Sequence, residues 1–252
     1  MPKSALSSTL QSKLTEPGKI VALTGAGVSA ESGLATFRGP GGMWEGRNPM
    51  ELATPEAFND DPFTVWRFYA WRRTQAARAA PNTAHTSLAA LERERDDFAL
   101  ITQNVDGLHE LSGSRRILRL HGSLWRLRCT AEGREFDDRR EELGELPPRC
   151  SCGALLRPAV VWFGEPLPVE ILKEAEKQAS LATLLIVAGT SSLVYPAAAL
   201  PQIAQSNGAY VVEVNPEPTP LSPLADERLA GPAGEILPRL AEAAGISLDH
   251  QS

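Results

Sequence analysis

Six short apolar runs set the rhythm of the chain: residues 20–23, 98–102, 117–120, 160–163, 184–188 and 210–214. Each has the length of a strand buried on both faces. Segments with helical spacing stand between several of them, and that alternation predicts a mostly parallel α/β sheet. The best-marked helix spans 61–80, with Asp61 as its cap and Pro62 at its first position. Others are expected from Thr83 to about Arg95, with Leu88 and Leu91 facing the core, over 169–182 and over 235–244. Residues 1–18 read as a polar lead-in or a first surface helix, and 48–59, broken by prolines, as short turns.

All six runs end in small or polar residues: Gly25-Ala26-Gly27, Gln103-Asn104-Val105-Asp106, His121-Gly122, Gly164-Glu165, Gly189-Thr190-Ser191 and Asn215. Ligands of open parallel sheets bind outside the carboxyl ends of the strands, so six such ends predict one shared site. The first end is the most specific. Gly25 to Ala30 is G-x-G-x-x-A directly after a strand, the context of a dinucleotide fingerprint. Gly25 is expected to permit the tight turn and Gly27 to let backbone approach a pyrophosphate; the alternative is a plain glycine turn from strand to helix. No second strand ending in an acidic residue follows at about twenty positions. Instead the chain enters a loop, 36–44, whose Phe37, Arg38 and Trp44 suit a flap over a ligand, with Arg38 available to a phosphate.

Composition narrows the class. The 252 residues are 42% hydrophobic and 22% charged, ordinary for a globular chain. A net charge of −6 argues against non-specific nucleic-acid binding. No apolar run reaches the roughly eighteen residues of a membrane helix, and the first residues lack the apolar core of a signal peptide. A cytoplasmic monomer is the expectation.

Three cysteines, Cys129, Cys150 and Cys152, are an odd count that points to a metal site rather than a disulfide framework. Glu132 stands where C-x-x-C spacing would put a partner for Cys129, and a carboxylate can bind zinc. The charged segment around them, about 129–156, holds little core-forming material; it either folds on zinc or packs without metal. Among four histidines, His85 sits near a helix start and suits packing or capping. His109 fits either reading. His121, at a strand end before Gly122, suits a general base at neutral pH. No G-x-S-x-G elbow or nucleophilic cysteine is evident, so a dinucleotide would have to bring the reactivity.

Taken together, GAGVSAESGLATFRG (25–39), TQNVDGLH (102–109), LHG (120–122), RPAVVWFGE (157–165), GTS (189–191) and EVN (213–215) resemble the sirtuins, NAD-dependent protein deacylases, over about residues 18–241. The resemblance implies a Rossmann-like NAD-binding domain (1–44, 84–127 and 157–252). A small domain would be formed by a helical insertion (45–83) and a zinc-ribbon-like insert (128–156). It assigns NAD contacts to Gly25, Ala26, Gly27, Ser29, Ala30, Phe37, Arg38, Trp44, Gln103, Asn104, Val105, Asp106, Gly189, Thr190, Ser191, Asn215 and Ala233. Catalysis falls to His121 and Asn104, and the acyl-lysine channel to Val161, Phe163, Gly164 and Glu165. Zinc would be held by Cys129, Glu132, Cys150 and Cys152. The expected partners are acyl-lysine proteins, and the products are free lysine, nicotinamide and O-acyl-ADP-ribose.

Within 61–80, Tyr69 and Arg72 lie three apart on one helix face, and the pair looks like the Y-x-x-R of the class III branch, a resemblance that implies removal of succinyl and malonyl groups. A buried acyl carboxylate needs a partner charge, which Arg72 supplies as a fork beside the Tyr69 hydroxyl. The alternative is a basic solvated face with Arg67, Arg73 and Arg78. Three features depart from the family pattern: Leu34-Ala35 before Thr36, Ala159, and the incomplete cysteine quartet. Rival readings are a nucleotide sensor, a mono-ADP-ribosyltransferase and, more remotely, a hydride-transfer enzyme.

Overall fold

Local capping accounts for much of the chain's segmentation. The structure is a computed structural model that describes residues 5–36 and 44–248. Helix α1 (Ser8–Thr15) is capped by Ser7 and buries Leu10 and Leu14 completely. Strand β1 (Ile20–Thr24) runs into a 3-10 turn over Ala26–Ser32. Three helices then start alike: α2 (Pro49–Leu52), α3 (Pro55–Asp60) and α4 (Pro62–Arg78) each have a proline in the first turn and a capping side chain, from Asn48, Thr54 and Asp61. The turns expected over 48–59 are therefore two short helices. Their prolines act as starters because a first-turn residue needs no amide hydrogen. In α5 (Thr83–Glu94) the amide of Asn82 donates to His85 Nδ1 while its side chain caps the helix, a reciprocal box; such caps contribute about 1 kcal/mol.

The remaining elements are β2 (Phe98–Thr102), α6 (Leu108–Leu111), β3 (Ile117–Arg119), β4 (Gly122–Cys129), β5 (Glu135–Asp137), β6 (Leu156–Val160), α7 (Val169–Ser180), β7 (Leu184–Ala188), α8 (Leu200–Ser206), β8 (Tyr210–Val214), β9 (Glu227–Leu229) and α9 (Ala233–Ala243). Among the described residues, six strands form a parallel sheet in the order β3-β2-β1-β7-β8-β9. Alternation divides it into two faces. Ile20, Ala22, Leu100 and Ile186 pack with residues of α1, α5 and α9, whereas Val21, Leu23, Ile101 and Val187 pack with α7 and α8. Each fully buried aliphatic side chain contributes roughly 1.5–3 kcal/mol, so both faces must be covered. No described helix is long and apolar enough to cross a membrane.

A second sheet, β5-β4-β6, is antiparallel and stands apart. It corrects one sequence expectation. The apolar run at 160–163 is not a strand of the parallel sheet: Leu156–Val160 pairs with β4, and β9 takes the sixth parallel place. An apolar run states that a segment is buried, not which sheet buries it. This small sheet shares a core with the helices α2–α4, built on Phe58, Trp66, Phe68 and Tyr69 against Leu124, Trp125 and Leu127. The Trp66 indole donates to the Leu156 carbonyl at 2.7 Å, tying the two together.

Candidate active site at the carboxyl ends of the parallel strands

The sheet reverses its order beside β1, with β2 on one side and β7 on the other, and the crevice of such a fold opens at that switch point. There the turns after β1 and β7 are pressed together. The Gly25 amide donates to the Ala188 carbonyl at 3.0 Å and the Gly27 amide to Gly189 at 2.8 Å. A Cβ on Gly25 or Gly27 would lie 2.8 Å from the Gly189 backbone, and Gly189 itself has φ +61°. The fingerprint glycines are thus required first by this turn-to-turn contact. The expected simple α-helix start is a 3-10 turn, in which the Gly25, Gly27 and Val28 amides are taken by carbonyls. Side chains lace the rim together. Gln103 Nε2 donates to Thr190 Oγ1 at 3.0 Å, Asn215 Nδ2 to the Thr190 carbonyl at 2.8 Å, and Asn104 Nδ2 to the Gly25 carbonyl at 3.1 Å.

Below the rim lies a buried polar cluster. The Ser29 hydroxyl donates to Asp106 Oδ2 at 2.8 Å and accepts from Asn104 Nδ2 at 3.3 Å; His85 Nε2 stands 3.4 Å away. Both hydrogens of the Asn104 amide are engaged in this way, so the group it offers a ligand is its carbonyl oxygen. Burial pushes the Asp106 carboxyl above its ordinary value, although Leu108 N and Ser29 donate to it. His85 is pushed down to about 4 and His109 to about 3, both by burial, so both are neutral. His85 is the capping residue that its position suggested. His109, 1% exposed, bonds Thr24 Oγ1 at 3.0 Å and belongs to the interior.

His121 is different. It is only partly buried, and its Nδ1 lies 3.1 Å from the Gln103 carbonyl. A carbonyl only accepts, so Nδ1 carries the hydrogen and Nε2 is left with the basic lone pair. Burial lowers its pKa and keeps it neutral, ready to take a proton. Its carbonyl accepts from the Val161 amide at 2.9 Å, which joins His121 to the segment carrying Trp162, Phe163 and Gly164. Phe163 N bonds the Ala53 carbonyl at 2.9 Å, and its side chain is 37% exposed. Glu165 is bound by both Arg157 terminal nitrogens, at 2.6 and 2.9 Å, and by the Trp162 amide. It therefore shapes the turn at Gly164, whose φ is +87°.

On α4, the Tyr69 hydroxyl accepts from the Trp162 indole at 2.9 Å, and burial raises its pKa to about 12. Arg72 lines a cavity of about 70 Å³ with Thr36, Trp71, Gln75, Asp106 and Leu124. Burial pulls its guanidinium down from 12.5, and Tyr69 and Asp106 counter that pull. The structure thus buries Tyr69 and half-buries Arg72, which lines the cavity with Asp106, while Arg67 and Arg78 are exposed. Phe37 and Arg38 lie outside the described residues; Trp44 is buried against Phe68.

The metal candidates also converge. The ligand atoms of Cys129, Glu132, Cys150 and Cys152 lie within 4.8 Å of one another, and the Cys129 and Cys152 sulfurs are 3.5 Å apart. Four bonds of about 2.0–2.3 Å from one zinc ion span such a set. The Cys152 amide is the main influence holding the Cys150 thiol down, to about 6, so it is a thiolate at neutral pH. The Cys152 thiol, beside Cys129 and Cys150, is pushed up instead, and three cysteine sulfurs with a carboxylate are a donor set that zinc accepts.

Residues 25–196 match the Sir2 family. The chain belongs to that family. An NAD-dependent protein deacylase 2 of Pyrobaculum aerophilum is 54% identical over 88% of this chain and 89% of its own length. An NAD-dependent protein deacylase of Aquifex aeolicus is 53% identical over 82% and 87%. A solved Sir2 homologue–NAD complex shares 48% identity with a TM-score of 0.91, covering 96% of this chain and 95% of that one. A Sir2–p53 peptide–NAD+ structure shares 35% identity with a TM-score of 0.84, over 95% and 99%. In this Sir2 chain, sequence reasoning missed three supporting residues. Trp125 donates to the Asp106 carbonyl at 2.5 Å, Arg157 holds Glu165, and Arg73 is buried behind Arg72. The alternation Leu124-Trp125-Arg126-Leu127 carried a strand signal for the first; nothing local marked the other two.

Proposed function

We propose that this Sir2-family chain is an NAD-dependent protein-lysine deacylase whose acyl pocket accepts succinyl and malonyl groups as well as acetyl. The observation that carries the activity is His121, held by Gln103 as the neutral Nδ1–H tautomer and joined by its carbonyl to the Val161–Gly164 segment. The deacylase names of its relatives support the same reading.

When bound, NAD would supply the C1′ of its nicotinamide ribose to the acyl oxygen with nicotinamide as leaving group, and one water would complete the conversion to free lysine and O-acyl-ADP-ribose. The chain's own residues bind and orient. Gly25, Ala26, Gly27, Ser29, Ala30, Gly189, Thr190, Ser191, Asn215 and Ala233 form the dinucleotide rim. Gln103, Asn104, Val105 and Asp106 line the nicotinamide end, where the Asn104 carbonyl accepts a hydrogen bond. His121 Nε2 takes the proton of a ribose hydroxyl. Val161, Phe163, Gly164 and Glu165 shape the entry for acyl-lysine. Cys129, Glu132, Cys150 and Cys152 would hold a zinc ion that would cross-link the turns of the small sheet.

The preference for acidic acyl groups rests on Tyr69 and Arg72. A carboxylate that leaves water costs several kcal/mol unless it meets a charge with good geometry, and Arg72 is a half-buried charge lining a small cavity. The Arg72→Met variant is expected to lose desuccinylation by at least tenfold relative to deacetylation, read as kcat/KM on matched peptides. Equal losses on both peptides would remove the clamp and leave the deacylase.

A further inference from the structure

Arg73 is fully buried beside Arg72, and none of its nitrogens is idle. Nη1 donates to the Leu124 carbonyl at 2.7 Å; Nη2 donates to Asp138 Oδ1 at 2.7 Å and to the Asp138 and Arg140 carbonyls at 2.8 and 2.5 Å; Nε donates to Arg140 at 3.2 Å. The guanidinium also stands 5.0 Å from the centre of the Trp125 ring. Three of these acceptors are backbone carbonyls, whose positions are set by the strand and loop that carry them. A planar fork meeting fixed carbonyls locks an orientation that an ammonium would not.

The held strand leads straight to the site. Leu124, whose carbonyl accepts from Arg73, donates its amide to the Val105 carbonyl at 2.9 Å. The next residue, Trp125, donates its indole N–H to the Asp106 carbonyl at 2.5 Å. Two consecutive residues of β4 therefore grip two consecutive residues of the Gln103–Asp106 turn, and Arg73 grips β4. Arg72, its neighbour on α4, shares a cavity with Leu124 and Asp106.

From this we infer that Arg73 is a positioning residue for acyl selectivity, setting the distance between Arg72 on α4 and the Val105–Asp106 turn. The inference rests on the reading of Tyr69 and Arg72 as the acyl clamp. A bond to an acyl carboxylate is lost when its donor moves by about 1 Å, a displacement that can cost up to a hundredfold in rate. An acetyl group has no carboxylate to lose and is less sensitive to the same shift. Arg73 thus acts on the ratio of the two activities.

The test compares Arg73→Lys, Arg73→Met and Arg72→Met by kcat/KM on matched succinyl- and acetyl-lysine peptides, with Tm measured for each. The expected result is a fall of roughly tenfold in the succinyl-to-acetyl ratio for Arg73→Met, carried mainly by KM for the succinyl peptide. A smaller fall is expected for Arg73→Lys, which keeps the charge near Asp138. Should Arg73→Met fail to fold, Asp138→Asn loosens the same fork and is expected to lower the ratio about threefold. A lowered Tm with an unchanged ratio in the folded Arg73 and Asp138 variants would overturn the positioning role and leave a structural one. If Arg72→Met leaves the ratio unchanged, the clamp itself fails and the inference falls with it. A collapse at Arg72→Met without any change at Arg73 rejects the inference alone.

Discussion

Two buried imidazoles, His85 and His109, stand with ring centres 4.9 Å apart under the crevice, and neither can take a proton cheaply. Their folded pKa values, about 4 and about 3, lie below the ordinary 6.5. The unfolded chain therefore binds protons first as pH falls, and folding stability is complete above about pH 6.5 and lost progressively toward pH 4 and 3. Each unit of separation is worth about 1.4 kcal/mol, so the pair removes several kcal/mol by the acid end. Urea titrations of the wild type and of His109→Gln between pH 7 and 4 should show the variant losing less stability over that range. Parallel losses would contradict this role. At this scale the sequence was a good guide where a residue's role follows from its own position, as for His85 at a helix start. It was a poor guide where the partner is remote: Gly27 needs Gly189, and Arg73 needs Leu124 and Asp138, contacts that no local pattern displays.

Among the elements, the strands buried on both faces were legible because β7 is apolar throughout and β1 and β2 are apolar up to a final threonine. Strand β9, Glu-Arg-Leu, was not, because a three-residue edge strand with two charged side chains resembles a loop. The two turns that carry the cysteines were legible only as a count and a spacing; their folding brings Glu132 to the three sulfurs. Purified protein should accordingly contain about one zinc per chain. Glu132→Ala should release it at a lower chelator concentration, and Glu132→Cys should retain it more tightly, with Tm following metal content. Well under one zinc per chain in the wild type would show that the small sheet packs without metal.

At the scale of the whole molecule, strand order turns scattered motifs into one site. Residues 25–29, 103–106, 189–191 and 215 meet because β1 lies between β2 and β7, and β8 follows β7. The alternation of strands and helices pointed to such a sheet, but the place of the 160–163 run required the second sheet to be seen. That sheet matters for function. Through β4 and β6 it brings His121, Val161 and the Tyr69–Arg73 stretch of α4 to the edge of the crevice. The most direct measurement is nicotinamide release from NAD with matched succinyl-, malonyl- and acetyl-lysine peptides, with His121→Tyr as the control. Release that requires peptide, is abolished by the His121 substitution and favours the acidic acyl groups is the expected result. NAD binding without release on any peptide would contradict the deacylase reading.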